Sequence, residues 1–175
     1  RYSPLFIICY LAIRLEDGGP AFFKQERIGL GGKPFNILKF RSMPIDENRD
    51  EFALFNHSKH ENLTRIGRFL RDHHLDELPQ LINVLKGDMA FIGPRPERKY
   101  YIDLIMKQDS RYEQLYQLRP GVTSYATLHN GYTDTMEKML IRLEMDLYYL
   151  EHQSLWMDAK ILMQTFFSII GGKRF

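Results

Sequence analysis

The chain has 175 residues, of which 44% are hydrophobic and 26% charged, and its formal net charge is +2. This length is typical of one domain with a sizeable core, and so small a charge gives no support by itself for a nucleic-acid partner. The one cysteine, Cys9, excludes an internal disulfide framework and is compatible with a reducing compartment. Because the chain opens with Arg1 inside an apolar element, we expect a truncated N-terminus.

The first predicted element is an apolar stretch over residues 5–15 that follows Ser3 and Pro4 and is interrupted only by Arg14. It is too short to span a bilayer, which needs about 20 apolar residues. Pro4 has no amide hydrogen and disfavours helix immediately before it. The stretch is either a buried helix with Pro4 in its first turn, or the second half of a bent helix that dips into one leaflet of a membrane.

Two strands are predicted over residues 22–28 and 35–40, joined by a glycine-rich loop over residues 29–34. The loop lacks the Walker spacing and opens no helix, so a hairpin turn is favoured over a phosphate cradle. Lys39 and Arg41, at the end of the second strand, are either solvated or directed at an anion.

A polar, charged surface loop is predicted over residues 44–61. It contains His57 and His60, but no cysteine or carboxylate lies at ligand spacing, so we expect surface histidines and not a zinc site.

Helices are predicted from a cap at Asn62 or Thr64 to His73, and again from near Asp76 to a stop at Gly87. Pro79 fits only the first turn of the second helix, whose apolar stripe is Leu78, Leu81, Ile82 and Leu85. Residues 100–118 are predicted as mixed helix, residues 122–128 as extended, and residues 136–151 as an amphipathic helix.

The last predicted helix, over residues 155–170, is rich in aromatic residues and is followed by Lys173 and Arg174. Aromatic residues with terminal cations are typical of a helix that lies on a membrane surface. A helix that packs on the core or on a partner remains the alternative.

The candidate chemistry lies in Asp76 and Glu77 at the predicted helix start, where the macrodipole and free amides favour ionised carboxylates. An ionised carboxylate can attack phosphorus, and a neighbouring carboxylate can hold Mg²⁺. Arg95 stands between two prolines that restrict its backbone, and its guanidinium suits phosphate. Arg71, Lys39 and Arg41 could converge on the same point, which would meet the needs of phosphoryl transfer.

The run from Leu75 to Met89, followed by Gly93-Pro94-Arg95-Pro96, resembles the core signature of the bacterial sugar transferases, the monotopic phosphoglycosyl transferases. The resemblance extends over nearly the whole chain, through Gln25-Glu26-Arg27-Ile28-Gly29, Lys39-Phe40-Arg41-Ser42-Met43, Arg119-Pro120-Gly121-Val122-Thr123 and Asp146-Leu147-Tyr148-Tyr149. Ser3-Pro4 resembles the break in that family's re-entrant membrane helix. The resemblance therefore implies a single α+β domain over residues 1–175, mostly helical, with a short β-hairpin, the second half of a re-entrant helix at residues 3–15, and interfacial amphipathic helices.

The resemblance implies transfer of a sugar 1-phosphate from a nucleotide diphosphosugar, such as a UDP-sugar, to polyprenyl phosphate in the membrane. The products are a polyprenyl diphosphosugar and a nucleoside monophosphate, as in the first membrane step of exopolysaccharide or lipopolysaccharide assembly. On the matching positions Asp76 is the nucleophile, Glu77 is associated with Mg²⁺, and Arg95 binds phosphate; Lys39 and Arg71 match basic positions less closely. The implied location is the cytoplasmic face of the bacterial inner membrane.

The sequence departs from the family pattern over residues 124–132, where the tryptophan and terminal arginine of many members are missing. Substrate-binding roles are therefore not assigned there, and the sugar and oligomeric state stay open.

Two alternatives remain at this point. Residues 65–85 could form a helix-turn-helix that binds DNA, although carboxylates would then head the second helix and repel phosphates. The chain could also be an inactive scaffold homologue, although Asp76, Glu77 and Arg95 are intact.

Overall fold

The computed structural model describes residues 4–44, 63–131, 133 and 135–170, and they form an α+β fold that is 62% helical. The strands are β1 (Phe22–Ile28), β2 (Pro34–Phe40), β3 (Ala90–Ile92) and β4 (Gly121–Thr123). The α-helices are α1 (Pro4–Asp17), α2 (Arg65–Asp72), α3 (Gln80–Lys86), α4 (Lys99–Gln108), α5 (Tyr125–Asn130), α6 (Met136–His152) and α7 (Leu155–Ile170). Short 3-10 helices cover Leu30–Gly32, Leu75–Glu77 and Ser110–Gln117.

The predicted hairpin is confirmed. Strands β1 and β2 pair in antiparallel register from Phe22 opposite Phe40 to Ile28 opposite Pro34. One face of this hairpin is covered by α1 and α2, where Phe6 lies 5.0 Å from Phe40 between ring centroids. Cys9, Ile13 and Leu70 complete this first core cluster.

Gly67 allows α2 to lie directly against the end of the hairpin. A Cβ atom at this position would be only 2.0 Å from the carbonyl oxygen of Ser42. A larger residue would therefore force the helix away from the strand end, which carries residues of the candidate site.

A second core cluster lies between α4, α6 and the 3-10 helix Ser110–Gln117. Its buried members are Ile28, Ile102, Ile105, Tyr112, Leu115, Met139, Leu143 and Leu147. Ile28 comes from the end of β1, so the hairpin contacts both clusters and sets their spacing.

The short strands β3 and β4 pair in parallel, with Ala90 opposite Gly121 and Ile92 opposite Thr123. A Cβ atom at Gly93 would be 2.2 Å from the carbonyl oxygen of Arg119. The close approach of these two segments requires glycine and fixes where the following loop leaves the pair.

The predicted second helix is present, but its α-helical part begins at Gln80, four residues after Asp76. Asp76 and Glu77 lie in a separate 3-10 turn, and α3 begins at Gln80, after Pro79. Proline is well suited to this boundary because its φ angle of −62° is already helical and it has no amide hydrogen to satisfy.

The predicted apolar stripe of this helix is only partly buried: Leu78 packs against the first core cluster and Ile82 is half-buried. Helix α3 buries Gln80 and Asn83, whereas Leu81 is exposed and Leu85 is 88% exposed. The side chain of Asn83 explains why this face is polar, because it accepts a hydrogen bond from the Leu38 amide at 3.0 Å and donates to the Asn36 carbonyl at 2.8 Å. A polar side chain thus ties α3 to β2 in place of apolar packing.

The extended segment predicted over residues 122–128 is shorter than expected. Only Gly121–Thr123 is strand, and Ser124 then caps α5 by accepting a hydrogen bond from the Thr127 amide at 2.9 Å. Serine at this position ends the strand because its hydroxyl satisfies an amide of the first helical turn.

The apolar stretch near the N-terminus forms α1, with Pro4 as its first residue. Among the described residues, no helix is both long enough and apolar enough to cross a membrane. Ser3, most of the predicted 44–61 loop with His57 and His60, Tyr132 of the divergent stretch, and Lys173 and Arg174 lie outside the described residues.

Candidate active site

Asp76 and Glu77 are held in the 3-10 turn Leu75–Glu77, between two apolar anchors. Leu75 and Leu78 pack against the first core cluster, and the Leu78 amide donates to the Leu75 carbonyl at 3.2 Å. The chain enters this turn through His74 in the left-handed conformation, with φ of 55°. The two carboxylates therefore project from a fixed turn that follows a sharp reversal of the chain.

Glu77 is paired with Lys39, which lies near the end of the second hairpin strand. Lys39 of β2 donates from Nζ to Glu77 Oε1 at 2.6 Å, and both side chains are largely buried. Burial opposes ionisation of Glu77, but Lys39 and then Arg95 outweigh it and lower its pKa to about 2. Glu77 is therefore a carboxylate across the physiological range.

Asp76 has a different electrostatic environment from its neighbour. Burial and the charge of Glu77 raise its pKa above the usual aspartate value, while Lys39 and Arg71 act in the opposite direction. Burial and Glu77 oppose the predicted preference for its ionised form, and Asp76 lies in a 3-10 turn and not at the terminus of an α-helix. A carboxylate of raised basicity is the better nucleophile of the two.

The segment 93–98, which we call the Arg95 loop, is pinned through its carbonyl groups. The Pro94 carbonyl accepts from the Gly121 amide at 3.0 Å, the Pro96 carbonyl from Arg27 at 3.2 Å, and the Glu97 carbonyl from the Ile28 amide at 3.0 Å. Pro94 and Pro96 also restrict the backbone on both sides of Arg95. The position of the Arg95 backbone is thus fixed by contacts with β1 and β4.

The Arg95 side chain is exposed and has no hydrogen-bond or ion-pair partner within the part of the chain that the structure describes. It lines a small cavity of about 20 Å³ together with Lys39, Glu77 and Arg27. The structure therefore brings the predicted residues Lys39, Glu77 and Arg95 together around one space.

Arg71 and Arg41 have other contacts. Arg71 donates from Nε to the Ser42 hydroxyl at 3.0 Å and acts on Asp76 through its charge. Arg41 is buried and donates to the carbonyls of Pro20 at 2.7 Å and Met43 at 3.3 Å. Arg41 does not line the cavity with Lys39 and Arg95, and its contacts fix the chain beyond β2.

A group of buried charges beside the Arg95 loop was not identified from the sequence patterns. Glu97 accepts from Arg142 Nη2 at 2.6 Å and lies 3.7 Å from Arg27 Nη1. Burial opposes ionisation of Glu97, but Arg142 and Arg27 hold its pKa below the usual value. Burial raises the pKa of the nearby Asp146 to about 7. The available signal was the pair Arg142 and Asp146, four residues apart on the inward face of α6 among leucines.

The arrangement suits a polyanion better than a metal ion alone. Among the described residues no group of three or more histidine, cysteine, aspartate or glutamate side chains could hold a metal ion. Mg²⁺, however, is commonly bound by one or two carboxylates together with substrate phosphates. Glu77 lines the cavity with Lys39 and Arg95, whereas Asp76 does not line it and lies in the same turn, where the charges of Lys39 and Arg71 act on it. Two carboxylates of unequal basicity beside such cations could bind a diphosphate and attack phosphorus.

Comparison with known proteins places this geometry in context. A family model described as bacterial sugar transferase matches residues 1–172. The UDP-glucose:undecaprenyl-phosphate glucose-1-phosphate transferase of Caulobacter vibrioides is 43% identical over 171 residues, which are 97% of this chain and 64% of that protein.

Two further relatives are similar to this chain over nearly its whole length, and their names give two different sugars. The UDP-N-acetylgalactosamine-undecaprenyl-phosphate N-acetylgalactosaminephosphotransferase of Aeromonas hydrophila is 38% identical over 98% of this chain and 40% of its own length. The UDP-glucose:undecaprenyl-phosphate glucose-1-phosphate transferase of Escherichia coli is 40% identical over 94% of this chain and 36% of its own length. The chain thus spans between about one third and two thirds of the length of these relatives.

The Lys39–Glu77 pair predicts a pH-dependent contribution to stability. We expect Lys39→Met to lower the free energy of unfolding at pH 7 by about 1–3 kcal/mol, since a hydrogen bond between charged groups is lost. Because the pKa of Glu77 is lowered from 4.5 to about 2, the stabilisation is complete above pH 4.5 and is lost as the pH falls towards 2. Chemical unfolding of both proteins across this range measures the difference.

The matched control is Lys99→Met, which breaks an exposed pair with Asp103 four residues along α4. It should change stability little at any of these pH values. A difference between wild type and Lys39→Met that stayed the same at pH 2 would contradict the prediction.

Proposed function

This chain belongs to the bacterial sugar transferase family, and we propose that it transfers a sugar 1-phosphate from a UDP-sugar to undecaprenyl phosphate. The products would be an undecaprenyl diphosphosugar and UMP. The observation that carries the proposal is that Asp76 and Glu77, held by one turn beside Lys39, Arg71 and Arg95, have pKa values shifted in opposite directions. The names of the relatives support both substrate classes.

The proposed chemistry proceeds in two displacements at one phosphorus atom. The Asp76 carboxylate attacks the phosphorus that carries the sugar, and the bond from that phosphorus to the bridging oxygen of the diphosphate breaks, releasing UMP. An oxygen of undecaprenyl phosphate then attacks the same phosphorus, and the acyl phosphate bond breaks to return the Asp76 carboxylate. Lys39 and Arg95 would neutralise charge on the phosphate oxygens, which is the main requirement of phosphoryl transfer.

Glu77 is the residue proposed to hold Mg²⁺, together with phosphate oxygens of the donor. Its Oε1 accepts from Lys39, and the ionised carboxylate would supply an oxygen ligand to the ion. When bound, Mg²⁺ would neutralise part of the diphosphate charge. The chain itself contributes the fixed carboxylate and the cations that orient the donor.

Membrane association is proposed because undecaprenyl phosphate is a lipid and because two helices expose large apolar side chains. Helix α1 exposes Leu5, Ile8, Leu11 and Leu15, while α7 exposes Trp156, Met163, Phe166 and Phe167. Helix α1 would be the second half of the re-entrant helix, and α7 would lie at the interface, with the site at the cytoplasmic face of the inner membrane.

The alternative of a helix-turn-helix has little support from the geometry. Helix α3 has only seven residues, its first residue Gln80 is buried, and Asp76 and Glu77 precede it in a separate turn. The inactive-scaffold alternative is decided by the first experiment below.

Asp76→Asn should abolish transfer and prevent formation of a covalent sugar-phosphate adduct, because an amide cannot attack phosphorus. UMP release and intact-protein mass spectrometry with UDP-glucose or UDP-N-acetylgalactosamine measure the two effects. Asp103→Asn is the matched control, since Asp103 is an exposed residue of α4 paired with Lys99, and it should retain activity and adduct. An active Asp76→Asn enzyme would exclude the proposed nucleophile, whereas a folded but wholly inactive wild type would favour the scaffold.

Glu77→Gln should raise the Mg²⁺ concentration for half-maximal activity by about 10-fold or more and reduce turnover, because a neutral amide is a poor ligand for this ion. Titration of UMP release with Mg²⁺ measures the change. Glu144→Gln, which removes an exposed carboxylate bonded to Arg111, should leave the profile unchanged. Identical Mg²⁺ profiles for Glu77→Gln and wild type would argue against the metal role.

Phe166→Glu and Phe167→Glu should each weaken binding to phospholipid vesicles by about 10-fold or more, because a buried phenylalanine contributes about 1.5–3 kcal/mol. Vesicle co-sedimentation measures the partition. Gln164→Glu introduces the same charge on the same helix at an exposed polar position and should have a small effect. If Phe166→Glu and Phe167→Glu bound vesicles as strongly as wild type does, α7 would be excluded as a docking surface.

A further inference from the structure

Arg27 of β1 is a largely buried cation that the mechanism above does not use. Its side chain is 17% exposed and lines the same cavity as Lys39, Glu77 and Arg95. Nη1 donates to the Pro96 carbonyl at 3.2 Å, and Nη2 donates to Gln25 Oε1 at 2.5 Å. Nε is buried and has no hydrogen-bond partner among the described residues.

The charge of Arg27 is only partly compensated within the protein. Its acidic neighbour Glu97 is shared, because Glu97 bonds to Arg142 at 2.6 Å but lies 3.7 Å from Arg27. The latter distance exceeds that of a hydrogen bond. Burial lowers the pKa of Arg27 to about 10, so the guanidinium remains protonated at neutral pH.

The cavity as a whole carries an excess of positive charge. Three cations, Arg27, Lys39 and Arg95, line it with a single carboxylate, Glu77. An uncompensated buried charge and an unsatisfied buried donor are both costly, and an anion bound beside Arg27 would relieve both. The side chain of Arg27 is also oriented in advance by Pro96 and Gln25, which reduces the entropy lost on binding.

We infer that Arg27 is a further substrate-binding residue, whose Nε–H donates to a phosphate oxygen of a nucleoside diphosphate group. The inference rests on the proposed function for the identity of the donor, but it extends to a residue outside the Asp76, Glu77 and Arg95 set. It makes β1, as well as β2 and the Arg95 loop, part of the phosphate site.

Isothermal titration of the whole protein with UDP and with UDP-glucose, in the presence of Mg²⁺, tests the inference. Arg27→Gln should weaken both affinities by about 10- to 100-fold, as expected for loss of a charge-assisted hydrogen bond. Arg27→Lys keeps the charge beside Glu97 but loses the planar fork, so it should fold and show an intermediate loss. If Arg27→Gln does not fold, the UDP affinity of Arg27→Lys tests the inference in its place.

The matched control is Arg111→Gln, because Arg111 bonds to Asp109 and Glu144 and does not line the cavity. It should bind UDP within about twofold of wild type. In the transfer assay, Arg27→Lys should raise KM for the UDP-sugar while KM for undecaprenyl phosphate stays nearly constant.

The outcomes separate this inference from the proposed function. Folded Arg27 variants that bind UDP like wild type, or a wild type that does not bind UDP, would overturn the inference, even if sugar-phosphate transfer is observed. Binding of UDP that depends on Arg27, in a wild type that performs no transfer, would support the inference and contradict the proposed function.

Discussion

The geometry of the site depends most on the buried ion pairing of the Glu97 carboxylate with Arg142 and Arg27. This carboxylate accepts from Arg142 of α6 and faces Arg27 of β1, so it connects the second core cluster to the hairpin through the Arg95 loop. Removing one partner from such a buried pair costs about 3–5 kcal/mol, because the remaining charge is left uncompensated. The Glu97 carbonyl also accepts from the Ile28 amide. The loop that presents Arg95 is therefore held at its backbone and at a neighbouring side chain.

The second organising feature is the difference in electrostatic environment between the adjacent carboxylates Asp76 and Glu77. Glu77 faces Lys39, and its pKa falls; Asp76 is buried beside Glu77, and its pKa rises. Adjacent residues of a tight turn point in different directions, so one turn can give them different surroundings. Opposite shifts in neighbouring groups are the usual way in which an active site separates a basic role from an electrostatic one. The turn that carries them is positioned by Leu75 and Leu78 in the first core cluster.

The distribution of apolar side chains reverses the usual expectation in several places. Helix α3 buries Gln80 and Asn83 and exposes Leu85, and α7 buries Ile161 but exposes Trp156 to 81%. Buried polar residues are acceptable in α3 because Asn83 has partners on β2 and on Asp88. Large exposed apolar surfaces are typical of regions that bind another protein or a membrane. The relatives named above act on undecaprenyl phosphate, and the exposed apolar residues of this chain agree with the membrane association that we propose.

Local sequence patterns were enough to predict the hairpin over β1 and β2 and helices α2, α6 and α7, and to select the candidate residues Asp76, Glu77 and Arg95. These follow from hydrophobic period, caps, glycine and proline, which act over a few residues, and from a long ordered motif. Long-range packing is what places Asp76 before the helix, bonds Arg41 to the carbonyls of Pro20 and Met43, and brings Arg27, Glu97 and Arg142 together beside Arg95. The pair Arg27 and Glu97 alone joins residues 70 positions apart. Local propensity does not encode such contacts, because burial and charge compensation depend on which distant segments the fold brings together.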